Sequence, residues 1–143
     1  MRKLLLFLLY TIVLAGSASA QSRVVKAAEV NGTYRYRENE IKILALGRNK
    51  LRIQMDLIFR YRSPDGPAAN TGEASGEATI EGDTAIFHPS DTENCTITIK
   101  FLPRNRIRVT EDHMIDCGFG FNVSSAGTYT KIRAGKPKFD SDK

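Results

Sequence analysis

The stretch LRIQMDLIFRY, Leu51 to Tyr61, alternates without a break. Leu51, Ile53, Met55, Leu57, Phe59 and Tyr61 share one parity, and Arg52, Gln54, Asp56, Ile58 and Arg60 share the other. At a helical period of 3.6 the first set would scatter around the whole cylinder. At period two it forms one face of a strand whose other face is mostly wet. Such a strand spans about 35 Å. That length suits a coiled barrel strand better than a small flat sheet.

The flanking sequence repeats the strand grammar. EIKILALGRNKLRI, from Glu40, reads as a hairpin turned by Gly47 to Asn49, and TITIKFLPRNRIRV, from Thr96, repeats its pattern 56 residues later. Both place a leucine just before the turn and the dipeptide RN within it. Turning at PRNR predicts antiparallel partners whose residue numbers add up to about 209. Ser63 to Gly72 holds two prolines and two glycines and reads as a loop. Glu81 to Asp83 reads as a tight turn between EASGEATI and TAIFH, and GTYRYR and GTYTKI read as the first and last strands. The sum is an all-β fold, an antiparallel up-and-down barrel of about eight strands with a lipocalin-like meander. Closure removes the edges an open sheet would expose. A β-sandwich is the competing architecture, without a Trp or an inter-sheet cysteine spacing to support it.

Residues 1–20 have the form of a secretory leader: basic MRK, an apolar run from Leu4 to Gly16, and small residues up to Ala20. Residues 21–30 are a lead-in, 31–134 the single barrel domain and 135–143 a polar tail. The expected location is secreted or periplasmic, with no membrane-spanning segment after the leader is removed. Arg2 and Lys3 account for two of the five net positive charges, so the remainder is mildly basic, with its cations scattered along strands. That is not the footprint of a nucleic-acid binder.

Cys95 and Cys117 are the only cysteines, an even count that in an exported chain predicts a disulfide. It closes a loop of about 21 residues, worth roughly 3 kcal/mol, and pins the base of the second hairpin. Zinc would require these two with His88 and His113, without any closely spaced ligand pair. No metal or cofactor is expected.

The run DCGFGFNVSSAGTYTKI, from Asp116 to Ile132, is the most unusual in the chain. Gly118 and Gly120 bracket Phe119 and predict a bend or a close backbone approach. Phe119, Phe121 and Val123 share one parity and are expected to face the barrel interior from the last-but-one strand. Ser124, Ser125 and Gly127 read as an exposed hairpin turn, small and unpacked, whose backbone meets a partner. The candidate binding residues are therefore Ser124, Ser125, Gly127, Tyr129, Gly118 and Gly120. Three glycosylation sequons start at Asn31, Asn94 and Asn122, with Asn94 expected to be least accessible.

Catalytic signals are weak. GxSxG is absent, and Glu73 and Glu77 fall on the outer face. The chain is not expected to be an enzyme. In size, leader and its late SSAGTY turn, it resembles the periplasmic inhibitors of lysozyme, small β-barrels that present a serine- and tyrosine-bearing loop near a motif SGxxY. The matching residues are Ser125, Gly127 and Tyr129, spaced differently from that motif. The resemblance implies a non-catalytic binding protein of the envelope or exterior, possessing rim loops that contact another protein or an envelope component. Two alternatives are a lipocalin-like carrier of a small apolar ligand and a small exported hydrolase. The bulky inward set, Leu51 to Phe59 with Ile97, Ile99, Phe101, Ile107 and Val109, predicts a filled interior rather than a carrier's cavity.

Overall fold

A computed structural model describes residues 23–90, 92, 94–112 and 117–140. The leader, His113 and Asp116 lie outside the described residues. Eight antiparallel strands in chain order close into a barrel. They are β1 (Gly32–Tyr36), β2 (Asn39–Gly47), β3 (Lys50–Ser63), β4 (Gly66–Glu81), β5 (Thr84–Phe87), β6 (Ile97–Leu102), β7 (Arg106–Glu111) and β8 (Gly127–Ala134). β1 pairs with β8, from Gly32 opposite Ala134 to Arg35 opposite Thr130. This closure rules out the sandwich.

The period-two reading of β3 holds through Leu57. Leu51, Ile53, Met55 and Leu57 are buried, together with Ile97, Ile99, Phe101, Ile107 and Val109 from β6 and β7. Tyr34, Phe87 and Tyr129 fill the remaining volume as fully buried rings. Phe59 is only partly buried and Tyr61 is 43% exposed, because β3 outruns its neighbours. Its pairing with β2 ends at Asp56, whereas its pairing with β4 continues to Ser63 opposite Gly66.

The expected loop at Ser63 to Gly72 is thus corrected: only Pro64 and Asp65 turn, and the rest extends β3 and β4. Pro67 is tolerated for a specific reason. In β4 the odd-numbered residues direct their backbone groups away from β3, as Thr71 shows by accepting a bond from Gly120 on the free side. Pro67 has the same parity, so its missing N–H falls on the unpaired edge and no ladder bond is lost.

The two similar hairpins are alike in detail. Arg48 and Asn49 have φ of 49° and 59°, and Arg104 and Asn105 have 63° and 56°. Positive φ at both central residues suits the right-handed twist of the flanking strands. β2 and β3 shift register between Ala45 and Gly47, just before the turn. In the second hairpin Leu102 pairs with Arg106 and Ile97 with Glu111, one residue off the register that the turn alone predicts. Pro103 supplies the extra residue, lacking the N–H with which to pair.

One end of the barrel is closed by α1, the single turn Ala27–Val30. The lead-in was not expected to be helical. Val30 is buried, and the Tyr34 hydroxyl donates to its carbonyl at 2.8 Å. Burial drives the Tyr34 phenol pKa well above its ordinary value, with the Glu29 charge adding to the shift. The tail also packs. Phe139 is buried beneath the Arg52 guanidinium, 4.1 Å from its ring centroid, and the Asp140 carboxylate lies 3.3 Å from Lys42 Nζ. A tail read as merely polar therefore straps the outer face of β2 and β3.

Candidate functional site

The end opposite α1 holds every candidate residue singled out in the sequence. Its lid is the connection from β7 to β8. The Cys95–Cys117 disulfide, with a Cα separation of 4.7 Å, anchors the start of its described part beside β6. From Cys117 the chain crosses to β4, three strands from β7. Gly120 N–H donates to the Thr71 carbonyl at 3.2 Å, and Asn70 Nδ2 donates to the Phe121 carbonyl at 2.7 Å. The chain then returns through buried Val123 to β8.

Glycine makes this crossing possible. Gly118 has φ of +71°, a conformation costly for other residues. A Cβ on Gly120 would lie 2.7 Å from the Thr71 carbonyl oxygen, and one on Gly72 would lie 2.8 Å from the Phe119 ring. The GFG motif is therefore a close approach of two backbones. Phe119 rests on the bare face of Gly72 and packs against the core.

Two expectations about this run are corrected. Phe119 to Val123 form no strand, so their shared parity does not put them on one face. Phe121 and Asn122 occupy a turn, with Asn122 at φ of 61°, and Phe121 is 81% exposed. Asparagine's tolerance of positive φ was the signal available for this turn.

Secondly, Ser124 and Ser125 are not a free, unpacked turn. Ser125 is fully buried. The Glu111 carboxylate accepts bonds from Ser124 Oγ at 3.0 Å and from the Ser125 backbone N–H. Asn39 Nδ2 donates to the Ser124 carbonyl at 3.0 Å, while its Oδ1 accepts from Ile58 N–H at 2.8 Å. The Tyr129 hydroxyl donates to the Ser125 carbonyl at 2.8 Å. Burial raises the phenol pKa of Tyr129 strongly, opposed by its contact with the Asn39 amide. Gly127 lets the Tyr36 ring sit where a Cβ would be, and Tyr36 also packs on Tyr129 at 5.6 Å between centroids.

These residues are brought together, but as a polar knot binding β2, β3, β7 and β8. The physical reason is that a lid returning over an apolar core must pair its backbone groups. Ser125 Oγ alone among the knot's polar atoms is buried without a partner.

What the lid end presents outward is aromatic. Tyr61 stacks on Phe59 at 6.3 Å on the overhanging β3–β4 ribbon, and Phe121 stands beside Asn70 on the same ribbon. The sequons also differ from expectation. Asn94 is exposed, as is Asn122, whereas Asn31 Oδ1 accepts from Ala45 N–H at 2.7 Å. Asn94 is not the least accessible of the three, because Asn31 is half-buried and braces β2 at Ala45.

Comparison with protein-family models, curated proteins and solved structures finds no match. Among the described residues no helix is long and apolar enough to cross a membrane.

Proposed function

We propose that the mature chain is an exported, non-catalytic binding protein of the envelope or exterior. It holds another protein or an envelope component against the lid end, with Phe121 as the anchor. The observation that carries this reading is a large aromatic side chain 81% exposed on a turn tied down on both sides. Aromatic anchors dominate binding energy, and an anchor already rigid loses little entropy on docking. The leader-like residues 1–20 and the disulfide support export to an oxidising compartment.

Two further observations support binding over catalysis or carriage. Three groups with nucleophilic or acid–base chemistry near the lid are engaged in its structure: the Glu111 carboxylate accepts from Ser124 Oγ and the Ser125 N–H, and the Tyr129 hydroxyl donates to the Ser125 carbonyl. The barrel interior is occupied by buried isoleucines and aromatic rings, which leaves a carried ligand little room.

The test uses mature protein and its Phe121→Ser variant as parallel baits in the source's envelope and secreted fractions, with purified lysozyme as one defined partner. The variant is expected to melt like the parent and to lose the partner that the parent retains. Equal recovery with both baits would reject the anchor.

A further inference from the structure

The cations that look scattered in the sequence are gathered by the fold. On the outer face of β6 and β7, Lys100 stands directly opposite Arg108, and Arg106 lies two residues before Arg108 on the same face. All three side chains are exposed. β6, β7 and β8 contain a single carboxylate, Glu111, and the serine knot holds it. Lys100 has one distant counter-ion, Asp83 at 3.8 Å. Arg106 donates to the Pro103 carbonyl, and Arg108 has no ion-pair partner among the described residues. Like charges directly across an antiparallel pair are destabilising. Folding alone gives no reason to keep this arrangement.

The surrounding positions carry hydroxyls. Thr98 opposes Thr110, Arg108 opposes Thr128, and Arg106 opposes Thr130. Cations spaced about 7 Å along a strand and about 5 Å across it, interleaved with hydroxyl donors, match a ligand with repeated anionic groups and hydroxyls.

We infer that the outer face of β6–β8 binds a linear anionic polysaccharide, at a site separate from the lid end. A single-stranded nucleic acid would call for aromatic platforms for its bases, and the outward residues of these strands include none; a duplex, held through its phosphates alone, is separated by the test below. A lipid surface would require a contiguous apolar face to insert. Leu102 and Ile132, the large aliphatics outside the core here, lie on β6 and β8 with β7 between them.

The test measures binding of the mature protein to heparin, as a sulfated polysaccharide probe, across a salt series. Anionic phosphatidylglycerol vesicles and duplex DNA serve as parallel ligands. The double variant Arg106→Ser/Arg108→Ser is compared with Arg60→Ser/Arg62→Ser, which removes the same charge from the β3 overhang. Thermal midpoints verify that both variants fold. The first variant is expected to bind heparin about tenfold more weakly, with a salt slope shallower by about one per arginine removed. The second is expected to bind as the parent does. Equal losses in the two variants would show that net charge alone is read, and would overturn the site. Tighter binding of the parent to vesicles or DNA than to heparin would overturn the assigned ligand.

Discussion

Phe119 and Phe121 stand two residues apart and have opposite fates. Phe119 lies on Gly72 and the core, while Phe121 lies in solvent. Phe119→Ala is expected to lower stability by about 2–4 kcal/mol, less than a wholly buried ring because one side faces out. Gly72→Ala should also destabilise, since the added methyl meets the ring at 2.8 Å. Combined with Phe119→Leu, which frees that space, its cost should fall below the sum of the single effects, as denaturant titration of the four proteins would show. Additive costs would mean that the glycine and the ring are not coupled. The buried tyrosines give a second residue-scale prediction. Tyr34 and Tyr129 have phenol pKa values raised in the folded state, so the folded state disfavours their anions. Their contribution is complete below the unfolded value of about 10 and is lost as pH rises above it toward the folded value. Alkaline titration followed by phenolate absorbance should show Tyr34 and Tyr129 ionising together with unfolding.

At the scale of elements, the disulfide ties the lid at Cys117 to Cys95, just before β6. Cys117→Ser is expected to cost about 2–5 kcal/mol. It should also loosen the crossing from Cys117 to Val123, read as faster amide exchange at Gly120 than in the parent. Two free thiols by mass spectrometry in oxidised protein would contradict the bond itself. The strand pattern makes a further contrast. Leu57→Asp should prevent folding, because Leu57 is 1% exposed and its carboxylate would have no partner. Asp56→Asn should shift the melting point little, since Asp56 is part-exposed and 3.7 Å from Lys42.

Much of this architecture was legible because strands with one buried face write their geometry into residue parity. Leu51 to Leu57 follow from it, while the RN turns followed from residues that tolerate positive φ, and the first and last strands from the likeness of GTYRYR and GTYTKI. The extension of β3 and β4 across Pro64 to Gly72 was not legible. Prolines and glycines there signal a loop unless it is known which edge of β4 lies free. The lid misled for a related reason. Parity carries meaning only inside a strand, and Phe119 to Val123 lie outside one. Ser124 and Ser125 looked available because their partners, Glu111 and Asn39, come from distant parts of the chain.

For the whole molecule, the strap formed by the tail predicts a graded loss. Removing residues 136–143 should leave the barrel folded, with its near-ultraviolet spectrum kept, while Phe139 no longer covers β3. The expected cost is about 1–3 kcal/mol for one aromatic ring withdrawn from its site. Loss of all cooperative melting would instead mean that the strap is part of the core.

The pairing of β1 with β8 has a consequence for the time before the molecule is complete. A chain made or translocated from its N-terminus exposes Tyr34 and its neighbours as an unpaired edge until residue 127 and beyond have emerged. Closing a ring across roughly a hundred residues is slow compared with forming its local hairpins. During that interval seven strands offer two sticky borders to any neighbour. Fragments that stop before Gly127 should accumulate as aggregates, while those reaching Ala134 should remain dispersed.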